Sequence, residues 1–290
     1  MKLKNENLKI AVQKEGRLTE ETISFLQKSG LEFESYKQRL FSICRNFPLE
    51  ILFVRDDDIP GYVSAGTVDL GIIGQNVLYE TKSKVRKLFN LRYGYCSLTI
   101  AIPKESSISS VDDLKYMKIA TSYPNSTNKF FRERGIPVNT VSISGSVEIA
   151  PSMGIAQAIV DLTSTGSTLA LNDLKILEKI YDSEAVLIVN PKALNNGRKK
   201  MIESLLIRFK GVLNAKDYKY VMMNAPEEIL SRLAKITPGL CSPTVTSLTK
   251  KGWISVQTVI RENIFWETID RLKKAGASGI IVMPIEKMII

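Results

Sequence analysis

The segment with the most chemistry to offer runs from Asp161 through Leu-Thr-Ser-Thr-Gly-Ser-Thr to Leu169. Small hydroxyl residues around one glycine, where a strand hands over to a helix, can aim several backbone N–H groups and hydroxyls at one phosphate. Thr163, Ser164, Thr165, Gly166, Ser167 and Thr168 form this candidate anion cradle. Asp161 stands at the C-terminal end of the preceding strand, where α/β ligands gather, and could hold ribose hydroxyls or a Mg2+-bearing substrate. The same run would also serve as a Ser/Thr N-cap with a turn glycine. The sequence contains no GxxxxGK[ST] and no GxGxxG after a strand, which excludes a Walker-type site and a dinucleotide fingerprint.

Further candidates stand at other strand ends. Lys14 and Arg17 of QKEGR follow the first strand and could pair with pyrophosphate or triphosphate oxygens, Arg17 bidentately; they could equally be solvated surface cations beside a turn. In VRDDDIP, Arg55 closes a second strand and three aspartates open a helix. Asp56 as N-cap, with its neighbours favouring the helix dipole, explains the aspartates without any function, while a metal or ribose role for Asp57 or Asp58 is the alternative. Glu148 in GSVEIAP is a carboxylate beside a glycine turn and Tyr123 in TSYPNST sits after another strand; each is a weak signal alone.

Composition narrows the chemistry. Across 290 residues there is no histidine, which excludes His-based acid/base catalysis, His-containing triads and His-ligated zinc. Carboxylates, hydroxyls, cations and backbone amides must suffice. The net charge of +10 would suit a polyanion, yet the lysines are dispersed without a basic helix or basic-aromatic interleaving, so nucleic acid is not expected. Cys44, Cys96 and Cys241 are widely spaced and read as reduced core residues rather than a disulfide framework or metal site. No stretch approaches the roughly 18 apolar residues of a membrane span, and the N-terminus has no signal-peptide pattern, so a cytoplasmic location is expected.

The elements that must position these residues follow from periodicity. LKIAVQ at 8–13 reads as a strand, followed by a helix with Thr19 as N-cap and Gly30 as stop. Residues 49–54 and 68–73 read as strands flanking a helix over 56–65, and the alternation argues for a largely parallel α/β sheet. A second block holds strands at LTIAIP, KIATS and AQAIVDL, with helices at VDDLK and TNKFFRERG, and LNDLKILEKI reads as a helix after the hydroxyl run. The strand AVLIVNP and a basic helix over 193–211 return the chain to the first block, predicting two lobes with a cleft between them. From about Lys216 the order becomes βαββαβ, that of a ferredoxin-like module, with Gly252 in a hairpin turn.

The blocks QKEGRL, QRL, FVRDDDIPG, VDLGIIG, IATSYP, GSVEIAP, DLTSTGSTL, KYVMMNAP, FWET and MPIEKM occur in order from near residue 8 to 288. In these the chain closely resembles long-form ATP phosphoribosyltransferase, the enzyme that opens histidine biosynthesis. The resemblance implies an α/β fold of two type II periplasmic-binding-protein-like lobes plus a C-terminal ferredoxin-like regulatory domain. Its boundaries are 1–97 with 182–212 for lobe I, 98–181 for lobe II and 213–290 for the histidine-binding domain. ATP and 5-phosphoribosyl 1-pyrophosphate are the implied substrates, Mg2+ the cofactor, L-histidine the inhibitor, and a homo-oligomer, dimer to hexamer, the assembly. Carried onto this chain, the 5′-phosphate rests on the loop from Thr163 to Thr168, with Asp161 and Glu148 near the ribose and metal. Asp161, Glu148 and Arg17 are the implied catalytic residues, and Lys14, Arg17, Arg55 and Tyr123 the nucleotide-binding ones. Histidine would meet Asn224, Leu240, Ser242, Thr244 and Gly279, the first and last replacing an aspartate and an alanine found in some members. A non-catalytic solute-binding or regulatory protein on the same scaffold is the alternative, although such a binder has no need of a phosphate nest opposite a cationic strand end.

Overall fold

The computed structural model describes residues 7–34, 40–195 and 197–290, so the QRL motif lies, apart from Leu40, outside the described residues. The chain divides into two compact units: Met1–Ser24 with Leu31–Ile202, and Phe25–Gly30 with Glu203–Ile290.

The first unit opens with β1 (Leu8–Gln13), α1 (Thr19–Lys28), β2 (Phe41–Ile43), β3 (Leu49–Val54), α2 (Ile59–Ala65), β4 (Leu70–Gly74), α3 (Gln75–Thr81) and β5 (Arg86–Asn90). There follow β6 (Cys96–Pro103), β7 (Lys118–Thr121), α4 (Pro124–Glu133), β8 (Asn139–Ser142), β9 (Ala158–Thr163), α5 (Ser167–Leu171), β10 (Leu174–Ser183) and β11 (Ala185–Val189). One sheet has the order β2-β3-β1-β4-β11-β5 and the other β10-β6-β9-β7-β8. In β1 and β4 successive residues are buried regardless of parity, as central strands covered on both faces require. The chain leaves the first sheet between β5 and β6 and returns between β10 and β11, and Glu184 ties these passages together by accepting from Asn90 Nδ2 (2.5 Å) and the Arg92 amide (3.0 Å). The expected pair of type II periplasmic-binding-protein-like sheets is present.

Four readings of the secondary structure need correction. The sheets are mixed: parallel pairing is confined to β3-β1-β4 and β9-β7-β8, because β11, returning from the second sheet, inserts antiparallel beside β4. Most of LNDLKILEKI is not helical, since residues 174–183 form β10, antiparallel to β6. Two register shifts in that pairing place Leu177, Ile180 and Tyr181 against the core at spacings that mimic a helix period. Asp56 begins a short 3-10 turn without a side-chain cap bond, and Asp58 likewise makes none to α2. Thr19 lies inside α1 with its hydroxyl buried and without a partner among the described residues, while Leu18, one residue earlier, supplies the carbonyl that accepts from the Thr22 amide.

A buried ion pair anchors the first sheet. The Asp69 carboxylate accepts from Arg198 Nη1 at 2.6 and 2.7 Å and from the Lys9 amide at 2.9 Å. Cys44 and Cys96 are buried and free, as expected, but Cys241 is exposed in a loop of the second unit.

The second unit begins within α6 (Lys199–Ala215) and continues through β12 (Tyr218–Pro226), α7 (Leu230–Ile236), β13 (Thr244–Ser247), β14 (Trp253–Arg261), α8 (Phe265–Ala275) and β15 (Ser278–Pro284). Its antiparallel sheet has the order β13-β14-β12-β15, which is the ferredoxin-like arrangement of βαββαβ. Gly252, with φ +72°, makes the turn before β14. Val221, Met223, Ala225 and Val256 from the strands pack on Leu233 and Leu272 from the helices.

Candidate functional site

Parallel strands in both sheets of the first unit direct their C-terminal ends at one pocket of about 140 Å3. Gln13 ends β1, Asp56 follows β3 and Gly74 ends β4; from the second sheet come Tyr123, beyond β7, and Leu162, near the end of β9. Ligands of α/β sheets collect at such strand ends because the loops there diverge and leave backbone groups unpaired. Arg17 lines the pocket beside Leu18, and its Nη1 donates to the Gly94 carbonyl. The Leu18 amide donates to Gln13 Oε1 at 3.1 Å, which fixes the turn carrying Arg17. A Cβ at position 74 would stand 2.2 Å from Asn76 Oδ1, so any larger residue there would displace the Asn76 side chain that Ser183 holds.

The second-sheet wall is electrostatically loaded. Asp161 is largely withdrawn from water, and burial pushes its carboxyl up to about 6, with Glu148 adding to the rise and the Leu162 amide, donating to Oδ1 at 2.8 Å, opposing it. Burial raises the Tyr123 phenol well above its ordinary range, and Asp161, Asp56 and Asp57 reinforce this, so Tyr123 presents a neutral hydroxyl in a negative field. Asp57 is itself raised by partial burial, then by Asp56, Asp58 and Glu80. Carboxylates converging without bonded cations suit sugar hydroxyl donors or a metal-bearing polyanion. No cluster of three or more metal-ligating side chains occurs among the described residues.

Beyond Asp161 the hydroxyl run turns through Gly166, whose φ of +76° is a left-handed conformation that glycine adopts freely. Gly166 stands at the N-cap of α5, with no side-chain cap bond. The arrangement therefore differs from a Ser/Thr N-cap: the first amides of α5, at Ser167 and Thr168, have no intrahelical acceptor. Around them, Thr165 and Ser167 share a hydroxyl contact of 2.9 Å, and Thr163 is held by Thr99 at 2.8 Å.

The pocket thus gathers Arg17, Asp56 and Tyr123, with Asp161 and Glu148 coupled to one another beside it. Lys14 and Arg55 stand at the ends of β1 and β3 but do not line it. Gln13, Gly74 and Asn76 were missed by sequence reasoning; the glycine ending VDLGIIG, followed at once by polar residues, was the available signal. In the second unit Asn224 of β12 adjoins Gly279 of β15, where a Cβ would meet Asn224 Nδ2 at 3.3 Å. Thr244 opens β13 at the other edge of that sheet, preceded by Leu240 and Ser242 in an exposed loop. No described helix is long and apolar enough to cross a membrane.

Known proteins share this organisation. A family model described as ATP phosphoribosyltransferase matches residues 55–211, and a second, described as HisG, C-terminal domain, matches residues 215–287. The ATP phosphoribosyltransferase of Cytophaga hutchinsonii is 45% identical over 97% of this chain and 98% of its own. That of Phocaeicola vulgatus is 46% identical over 98% of this chain and 100% of its own. Among solved structures, a chain of the ATP phosphoribosyl transferase (HisG:HisZ) complex from Thermotoga maritima is 31% identical with a TM-score of 0.61, covering 70% of this chain and 96% of that one.

Proposed function

The chain belongs to the ATP phosphoribosyltransferase family, and on that premise we propose that it joins ATP to 5-phosphoribosyl 1-pyrophosphate as the first step of histidine biosynthesis. Adenine N1 attacks C1′ with inversion, the bond from C1′ to the pyrophosphate oxygen breaks, and 1-(5-phosphoribosyl)-ATP and pyrophosphate result. The observation that carries this reading is the turn through Gly166 into α5 beside Asp161: the amides of Ser167 and Thr168, which a helix start leaves without intrahelical acceptors, are suited to the 5′-phosphate. Ser164 to Thr168 add hydroxyls, and Thr163 is braced by Thr99.

On this reading Asp161 and Glu148 hold the ribose hydroxyls, and Arg17 and Tyr123 orient the purine nucleotide across the pocket, with Lys14 and Arg55 supplying positive charge at adjacent strand ends. Mg2+ held by the substrate pyrophosphate and Asp161 would neutralise leaving-group charge; one or two carboxylates plus substrate phosphates are its usual set, which the residues present fit. No protein nucleophile is needed, because N1 is already nucleophilic and positioning with charge neutralisation lowers the barrier. That agrees with a chain lacking histidine.

In this reading the lobes comprise residues 1–97 with 182–212 and residues 98–181, and a cytoplasmic homo-oligomer, dimer to hexamer, is regulated through residues 213–290. L-Histidine would bind through Asn224, Leu240, Ser242, Thr244 and Gly279, the adjacency of Asn224 and Gly279 supporting two of those five. The test is pyrophosphate release, expected only with ATP, 5-phosphoribosyl 1-pyrophosphate and Mg2+ together, and lost in folded Asp161→Ala. Ligand binding without turnover in the wild-type chain would instead favour a solute-binding protein.

A further inference from the structure

Helix α4 is capped by a residue from the opposite side of the pocket. A helix start leaves its first amides without intrahelical acceptors, and here Pro124 at the first position has no N–H at all. The Tyr123 amide donates to Thr121 Oγ1 at 2.9 Å, and the first intrahelical bond runs from the Thr127 amide to the Tyr123 carbonyl. The amides between them, Asn125 and Ser126, both donate to one carboxylate, that of Glu80 in α3: Asn125 to Oε1 at 2.7 Å and Ser126 to Oε2 at 2.9 Å. Asn125 Nδ2 adds a bond to the Glu80 carbonyl at 3.0 Å.

The contact is reinforced beside the carboxylate. Tyr79 packs edge-on against Tyr181 of β10 with ring centroids 5.0 Å apart, and the Tyr181 hydroxyl donates to Ser126 Oγ at 3.2 Å. Helix α3 follows β4 of the first sheet, whereas α4 and β10 belong with the second. Separating the sheets would strip α4 of its cap and leave a carboxylate without donors, so the helix terminus itself favours the approached arrangement. Tyr123, the N-cap residue, is the side chain of this helix start that lines the pocket facing Arg17.

We propose that Glu80 is a positioning residue, an interlobe clasp that holds Tyr123 and Arg17 at the spacing in which they grip the nucleotide. It touches no substrate, and the proposal rests on the reading that this pocket receives ATP. The test compares wild type, Glu80→Ala and Glu80→Gln by calorimetric titration with ATP, by hydrogen exchange at Asn125 and Ser126, and by steady-state turnover. In Glu80→Ala the two amides exchange faster, ATP binds about tenfold or more weakly, and KM for ATP rises with kcat within about threefold. Glu80→Gln keeps a carbonyl acceptor for one amide, so its ATP affinity falls between the two; this also carries the test should Glu80→Ala fail to fold. Wild-type ATP affinity in Glu80→Ala, or a fall in kcat with KM intact, overturns the clasp while leaving the nucleotide site standing. A wild-type chain that binds no ATP overturns the nucleotide reading and the clasp's positioning role with it.

Discussion

Replacing Asp161 by asparagine should stabilise the protein at neutral pH while abolishing its proposed reaction. The carboxyl is raised from 3.8 to about 6, chiefly by burial. Between those values the folded chain keeps a proton that the unfolded chain has released, so stability falls as pH climbs from 3.8 toward 6 and the full cost persists above. A difference of about two pKa units corresponds to about 3 kcal/mol. Asparagine carries no charge at any pH and retains Oδ1 to accept from the Leu162 amide, so it removes the cost without orphaning that donor. The assay is urea unfolding of both proteins at pH 4 and pH 8, followed by far-UV circular dichroism, because Trp253 and Trp266 both lie in the other unit. The advantage of Asp161→Asn should grow by about 2.5 kcal/mol between those pH values, because part of the cost is already present at pH 4. A gap independent of pH, or a variant less stable than wild type at pH 8, would refute the reasoning.

Other perturbations separate the parts of the account. Arg17→Ala should raise KM for ATP by about 10- to 100-fold through loss of a charge-assisted hydrogen bond, checked by steady-state kinetics. Gly166→Ala should cost about 1 kcal/mol at its left-handed φ and weaken 5-phosphoribosyl 1-pyrophosphate binding more than ATP binding, measured by calorimetry. Asp69→Ala, which strips Arg198 of a buried partner and the Lys9 amide of its acceptor, should lower stability by about 3 kcal/mol in urea unfolding, with Asp69→Asn milder. Asn224→Asp should change the histidine concentration for half-inhibition by about tenfold while uninhibited turnover stays the same, since one added charge beside an amino-acid ligand acts on binding alone.

Strands buried on both faces, such as β1 and β4, were legible because their apolar runs admit few other readings. So was the second unit, where turn residues and alternation agree over 218–284. β10 was not legible, because its register shifts replace a two-residue alternation by a helix-like spacing. The exposed β5 and β8 bury too little to leave a pattern. For the site, strand ends pointed to Arg17, Tyr123 and Asp161, since residues after parallel strands are brought together by topology. Glu80 carried no signal: its role comes from a contact 45 residues away in the chain, with Asn125.

Whether the turn after β9 grips a sugar phosphate is decided by a crystal structure with 5-phosphoribosyl 1-pyrophosphate bound. The 5′-phosphate oxygens should lie about 3 Å from the amide nitrogens of Ser167 and Thr168, with the ribose hydroxyls toward Asp161. A bound substrate whose phosphate lies elsewhere, with those amides turned to solvent, would contradict it.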